Sequence, residues 1–301
     1  MSILGLPVPA GELTFALILL FLTVAGLLTA VLTGLLRPRA ILGPDRLAPT
    51  RSAGAPVLIL LLVTTLTWLG TQLILAARKQ SIHPGFQLSD LTPADFAFLS
   101  TVPGLVAVLT FLFTFYFFFP APQRPRLGFS LPELPAGLRK GFTSIFMILP
   151  VVLLVSVLTE WFYRHIGFKH PSEHELLRAM KDSSNPAIRW LLITGAVLIA
   201  PVTEELLFRG LFQTLLVWAY NNLSRSQSSP PTASRLIAGR WLAILVSSVI
   251  FASIHDKWSI PPIFILAICL GFTYERTGNL WVNITVHSLF NAFQTIVFLS
   301  Q

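Results

Sequence analysis

Residues 201–212 read PVTEELLFRGLF. Two adjacent glutamates, Glu204 and Glu205, and Arg209 sit there between uncharged runs at 190–200 and 210–218. A charge at the centre of a bilayer costs roughly 2.5–3.5 kcal/mol on insertion scales, so three unpaired charges facing lipid would cost on the order of 10 kcal/mol. They must face protein or a water-filled cavity, and ionisable groups so placed are candidate functional groups. Successive helical residues point about 100° apart. Glu205 and Arg209 are four apart with the acid first, the favourable order for an ion pair on one face. Glu204 points elsewhere and is the freer carboxylate. The competing reading is that all three only pair with neighbouring helices. The stretch alone does not separate the two.

The rest of the chain supplies the membrane. Of 301 residues, 54% are hydrophobic and 11% charged, and mean hydropathy is +0.74. Ordinary soluble domains lie outside that range. Long apolar runs recur, and backbone groups in lipid must be satisfied within their own segment. The expected fold class is therefore all-α: a polytopic transmembrane helical bundle of about eight spans in an integral, multi-pass membrane protein. The spans fall at residues 13–36, 56–77, 102–119, 142–163, 187–220, 241–255, 261–274 and 280–299. Residues 1–141 form N-terminal transmembrane helices without an assigned role, and residues 142–301 carry the functional core.

The net charge of +8 is no nucleic-acid footprint. Many basic residues flank apolar runs, where they set topology. Arg37, Arg39, Arg46 and Arg51 place the loop after the first span in the cytoplasm; Arg124, Arg126, Arg139 and Lys140 do the same after the third. Residues 1–13 lack Lys and Arg and carry Glu12, which argues against a cleavable signal. A single cysteine, Cys269, excludes an internal disulfide and a Cys-cluster metal site. Thr92-Pro93 predicts a capped helix start. Residues 171–180 predict a short helix capped by Ser172, with Leu176, Leu177 and Met180 on a membrane-surface face. Pro201 predicts a kink or break in the fifth span. Residues 221–239 read as a flexible Ser/Pro-rich linker.

Four of the six histidines, His83, His165, His170 and His174, lie in loops and read as solvated or interfacial. His255 ends the sixth span. His287 lies inside the eighth and shares a helix face with Asn291, four residues on. Each alone is as well explained by an interhelical hydrogen bond. Together, Glu204, His255, His287 and Asn291 put expensive polar groups on three apolar helices. A carboxylate beside an imidazole can deprotonate water, and His287 with Asn291 can donate to an oxyanion. Those parts suffice for amide hydrolysis by activated water. Glu204, His255 and His287 could instead bind Zn²⁺ with an open position, and spacing does not choose between the two. The helix signature H-E-x-x-H is absent.

Three motifs now stand in order: E-E-x-x-x-R at Glu204, Glu205 and Arg209, F-x-x-x-H at Phe251 and His255, and H-x-x-x-N at His287 and Asn291. This series resembles the CPBP family of CAAX prenyl endopeptidases and bacteriocin-processing proteins, also called the ABI family of intramembrane proteases. The segment 271–281 (GFTYERTGNLW) resembles it too. The resemblance covers residues 187–298. It implies that Glu204 is the general base, acting with His255 on the attacking water. It implies further that His287 and Asn291 stabilise the oxyanion, with Glu205 and Arg209 as a supporting pair. The implied partners are the lipid bilayer and a membrane-embedded or lipid-anchored peptide, prenylated in the eukaryotic members. Cofactor use is left open between a divalent metal such as zinc and none. The alternative is a non-proteolytic scaffold or bacteriocin-immunity protein binding through the same pocket. A proton-coupled transporter, which also uses intramembrane Glu and His, ranks lower because no repeated halves are seen.

Overall fold

The computed structural model describes residues 2–3, 6–7, 10–35, 37–41, 54–82, 91–121, 124, 126–171, 175–223 and 232–300. Arg46, Arg51, His83, Ser172, His174 and the Ser/Pro-rich stretch 224–231 lie outside them. In chain order the helices are α1 Ala10–Leu32, α2 Gly54–Ile82, α3 Pro93–Phe117, α4 Leu134–His165, α5 Glu175–Asp182 and α6 Pro186–Thr194. There follow α7 Ala200–Glu205, α8 Thr214–Leu223, α9 Ala233–Ser253, α10 Ile260–Thr277 and α11 Leu280–Leu299. A π-helical stretch, Gly195–Ile199, joins α6 to α7, and a second, Leu206–Gln213, joins α7 to α8. Apart from a two-residue ladder of Ser2–Ile3 with Leu6–Pro7, the described chain is all-α. Eight segments are long and apolar enough to cross a membrane, the expected number, with Pro186–Leu223 counted as one.

Several helices start earlier than hydropathy indicates, because capping and not apolarity sets their ends. The α3 helix begins at Pro93, nine residues before the apolar run at 102–119. Thr92 and Asp95 form a capping box there: the Asp95 N–H donates to Thr92 Oγ1 at 3.2 Å and the Thr92 N–H to Asp95 Oδ2 at 3.0 Å. Asp95 also pairs with Lys79 at 2.9 Å. At the other end, Arg124 Nε donates to the Phe119 carbonyl at 2.8 Å and Nη2 to that of Tyr116 at 2.9 Å. A cation there complements the helix C-terminus. The α4 helix takes in Arg139 and Lys140, read above as loop. The α9 helix begins at Ala233 instead of 241, with Thr232 accepting the Arg235 N–H, so residues 233–239 of the expected linker 221–239 are helical.

The chain divides into two compact units. One takes residues 1–47, 130–171 and 220–286. Within it, Gly137 and Gly141 on α4 seat the first turns of α11. A Cβ on Gly137 would lie 2.3 Å from Trp281 Cβ, and one on Gly141 2.5 Å from Thr285 Cβ. Small residues four apart let helix backbones approach in this way. We expect Gly141→Val to destabilise the protein by about 1–3 kcal/mol through overpacking. In detergent that lowers Tm by about 2–10 °C. The control is Gly70→Ala, where nothing lies within 4 Å of the added Cβ, and its Tm should match wild type. In the same unit Arg240, 5% exposed, meets Glu275, 1% exposed, at 3.3 Å and donates to the Ile41 carbonyl at 3.0 Å. The α10 helix stops at Gly278, whose φ of 62° is left-handed and suits glycine.

The other unit takes residues 48–129, 172–219 and 287–301. Here α3 packs against the broken fifth span at two glycines. A Cβ on Gly104 would lie 2.9 Å from Thr203 Oγ1, and one on Gly195 2.5 Å from Thr101 Oγ1. The α5 helix does not present its apolar face to a membrane surface. Met180 and Ala179 are buried with Ala97 and Leu192, and Leu176 and Leu177 pack against that cluster. Apolar side chains of a short helix gain as much by covering α3 and α6 as by entering lipid.

Candidate active site

Glu204 and Glu205 end α7, the six-residue α-helix between the two π stretches. π-Helical turns are rare and frequent at functional sites. The two carboxylates face different surroundings, as a 100° step requires. Glu205 and Arg209 are both fully buried and meet at 2.9 Å, Nη1 to Oε1. Glu204 keeps about a quarter of its side-chain surface, 26%.

His287, on α11, joins both. Its Nδ1 lies 2.9 Å from Glu205 Oε1, the oxygen that also accepts from Arg209. A carboxylate only accepts, so Nδ1 carries a proton and Glu205 sets the ring's orientation. Nε2 therefore faces Glu204, at 3.7 Å from Oε2. The order is Arg209, Glu205, His287, Glu204: a buried cation orients a carboxylate, which orients an imidazole, which faces the more exposed carboxylate. Sequence reasoning paired Glu205 with Arg209 alone. The His287 link spans 82 positions and leaves no local spacing signal.

Asn291, one turn beyond His287, donates from Nδ2 to the Ala196 carbonyl at 2.8 Å. That carbonyl belongs to the first π stretch, which sequence reasoning missed. His255 belongs to the other compact unit, beyond the end of α9. Its Nδ1 donates to the Phe251 carbonyl at 2.7 Å and its ring packs on the Phe251 ring, centroids 4.8 Å apart. The F-x-x-x-H spacing thus has a physical meaning: the i−4 carbonyl fixes the tautomer and leaves the lone pair of the neutral ring on Nε2. The connector after His255 carries Trp258, which stacks on His170 at 5.3 Å, and His170 Nε2 lies 3.0 Å from Glu160. His170 is therefore packed, not solvated, while His165 is exposed. Among the described residues no group of three or more His, Cys, Asp or Glu side chains is arranged to hold a metal ion.

Fold and site together define an integral multi-pass helical membrane protein with two carboxylates and an imidazole in contact within one helical unit. Residues 185–293 match the family described as type II CAAX prenyl endopeptidase, Rce1-like. That segment runs from the cap of α6 into α11 and contains all three motifs, so the family resemblance drawn from them is supported. Over that segment the chain is similar to CAAX-type intramembrane proteases. No curated protein and no solved structure matches the chain.

Proposed function

We propose that the chain hydrolyses a peptide bond next to a prenylated cysteine in a membrane-anchored substrate, with Glu204 as general base. The observation that carries this reading is the division of labour between adjacent carboxylates. Glu205 is locked between Arg209 and His287, while Glu204 keeps exposed surface and faces His287 Nε2. A base must reach water, and only Glu204 of the two can.

Carboxylate, imidazole and water carry the steps that this chain's own residues supply. Glu204 takes a proton from water as the water oxygen bonds to the scissile carbonyl carbon. The carbonyl π electrons move to oxygen, which becomes the oxyanion. A preorganised donor aimed at that oxygen contributes about 3–4 kcal/mol; His287 is assigned that role on the family resemblance and fills it as the doubly protonated ring, with Nδ1–H on Glu205 and Nε2–H on the oxyanion. The proton on Glu204 then passes to the leaving amine as the C–N bond breaks. His255 is assigned to the attacking water on the family resemblance alone, and the prenyl group rests on the same resemblance.

The test uses purified protein in liposomes and a peptide ending in a farnesylated cysteine followed by three residues. Mass spectrometry should find the released tripeptide with wild type, and none with His255→Ala at equal protein and unchanged Tm. Equal cleavage of the unprenylated peptide would remove the prenyl requirement. Wild-type turnover by His255→Ala would remove His255 from the mechanism.

A further inference from the structure

The first π stretch contains an accounting problem, and Asn291 solves it. In a regular helix the Ala196 carbonyl would accept from the Ala200 N–H, four residues on. Here the Ala200 N–H reaches back five residues, to Gly195. If the five-back pattern continued, the donor to Ala196 would be residue 201. Residue 201 is proline and has no N–H. The π turn and Pro201 together therefore take both backbone donors from one carbonyl, inside a segment where water is scarce. An acceptor left bare there is expensive. The Asn291 amide fills the vacancy at 2.8 Å.

Two further contacts hold the same stretch. Thr203 Oγ1 donates to the Ile199 carbonyl at 2.8 Å, and α3 packs so closely that neither Gly195, facing Thr101, nor Gly104, facing Thr203, leaves room for a Cβ. The stretch runs directly into Glu204 and Glu205, and Asn291 lies one helical turn from His287. We propose that Asn291 is a positioning residue. Its amide bonds the carbonyl freed by the π turn and Pro201, and so fixes the glutamate-bearing turn against the helix that carries His287. This rests on Glu204 being the base. It differs from the oxyanion role that the family resemblance implies for Asn291.

Pro201 makes the idea testable by rescue, because Pro201→Ala restores an N–H that can serve the Ala196 carbonyl. Four proteins are compared: wild type, Pro201→Ala, Asn291→Ala and the double variant. Two readouts are taken, Tm in detergent and kcat with KM on the farnesylated peptide. Asn291→Ala should lower Tm by about 2–10 °C. It should also lower kcat on the order of 10–100-fold with KM little changed, as small misplacements of a catalytic group do. The double variant should regain most of both losses, and Pro201→Ala alone should stay near wild type. Asn291→Asp, which sets an acceptor against an acceptor, should be worse than Asn291→Ala. A double variant whose Tm recovers while kcat stays low would overturn the proposal, since the amide would then act on the reacting atoms. An unchanged Tm in Asn291→Ala would overturn it too. If wild type cleaves nothing while the Tm pattern holds, the clamp stands and the assigned reaction falls.

Discussion

Glu204→Gln yields a protein that accumulates, inserts and unfolds at the wild-type temperature, yet cleaves at a rate lower by about 10²–10⁴-fold, the usual contribution of general base catalysis. The substitution exchanges one oxygen for an amide nitrogen of nearly the same size and removes the ability to take a proton from water. The fold should tolerate it. Glu204 is a quarter exposed, and its contact with His287 Nε2, at 3.7 Å, is beyond ordinary hydrogen-bond distance. Glu205→Gln is the contrasting variant. It loses the buried pair with Arg209 and the carboxylate that orients His287, so it should lose both Tm and rate. The measurement is tripeptide release by mass spectrometry beside a melting curve for each variant. A Glu204→Gln protein with wild-type turnover would place the base elsewhere and end the carboxylate argument.

What the sequence makes legible follows from what lipid demands. Eight apolar runs are visible because a bilayer requires length and apolarity of every span. The charged dyad of Glu205 with Arg209 is visible because its partners are four residues apart. Helix ends are less visible. Arg139 and Lys140 carry long apolar stems that let a charged head sit on a helix near the interface, so charge alone marks no boundary. The π turns are invisible for a different reason. In the first, GAVLI, every residue is apolar, so there is no hydrophobic period to disturb, and one shifted backbone hydrogen bond changes no side-chain type. Gly195, Gly210 and Pro201 are the local signals in this span, and of these Pro201 alone predicts a kink. The contacts of His287 with Glu205 and of Asn291 with Ala196 join residues 82 and 95 positions apart. Local spacing cannot show either. The second partner in particular is a backbone carbonyl, to which any residue type contributes equally.

The buried pair separates stability from chemistry. Arg209→Met removes the cation and leaves Glu205 enclosed with no opposite charge at 2.9 Å. Breaking a buried pair on one side costs about 3–5 kcal/mol, which in a chain of this size lowers Tm by about 6–20 °C. Replacing both partners by uncharged groups is often neutral or better, since no charge is left stranded. The double variant Glu205→Gln with Arg209→Met should therefore regain most of the Tm that Arg209→Met loses. It should not regain the rate. With Glu205 gone, no carboxylate holds the proton on His287 Nδ1, and the ring is free to place either nitrogen toward Glu204. A double variant that recovers melting temperature but not turnover shows that the pair is retained for the orientation of His287. One that recovers both would reduce Glu205 and Arg209 to a structural pair and leave His287 oriented by something else.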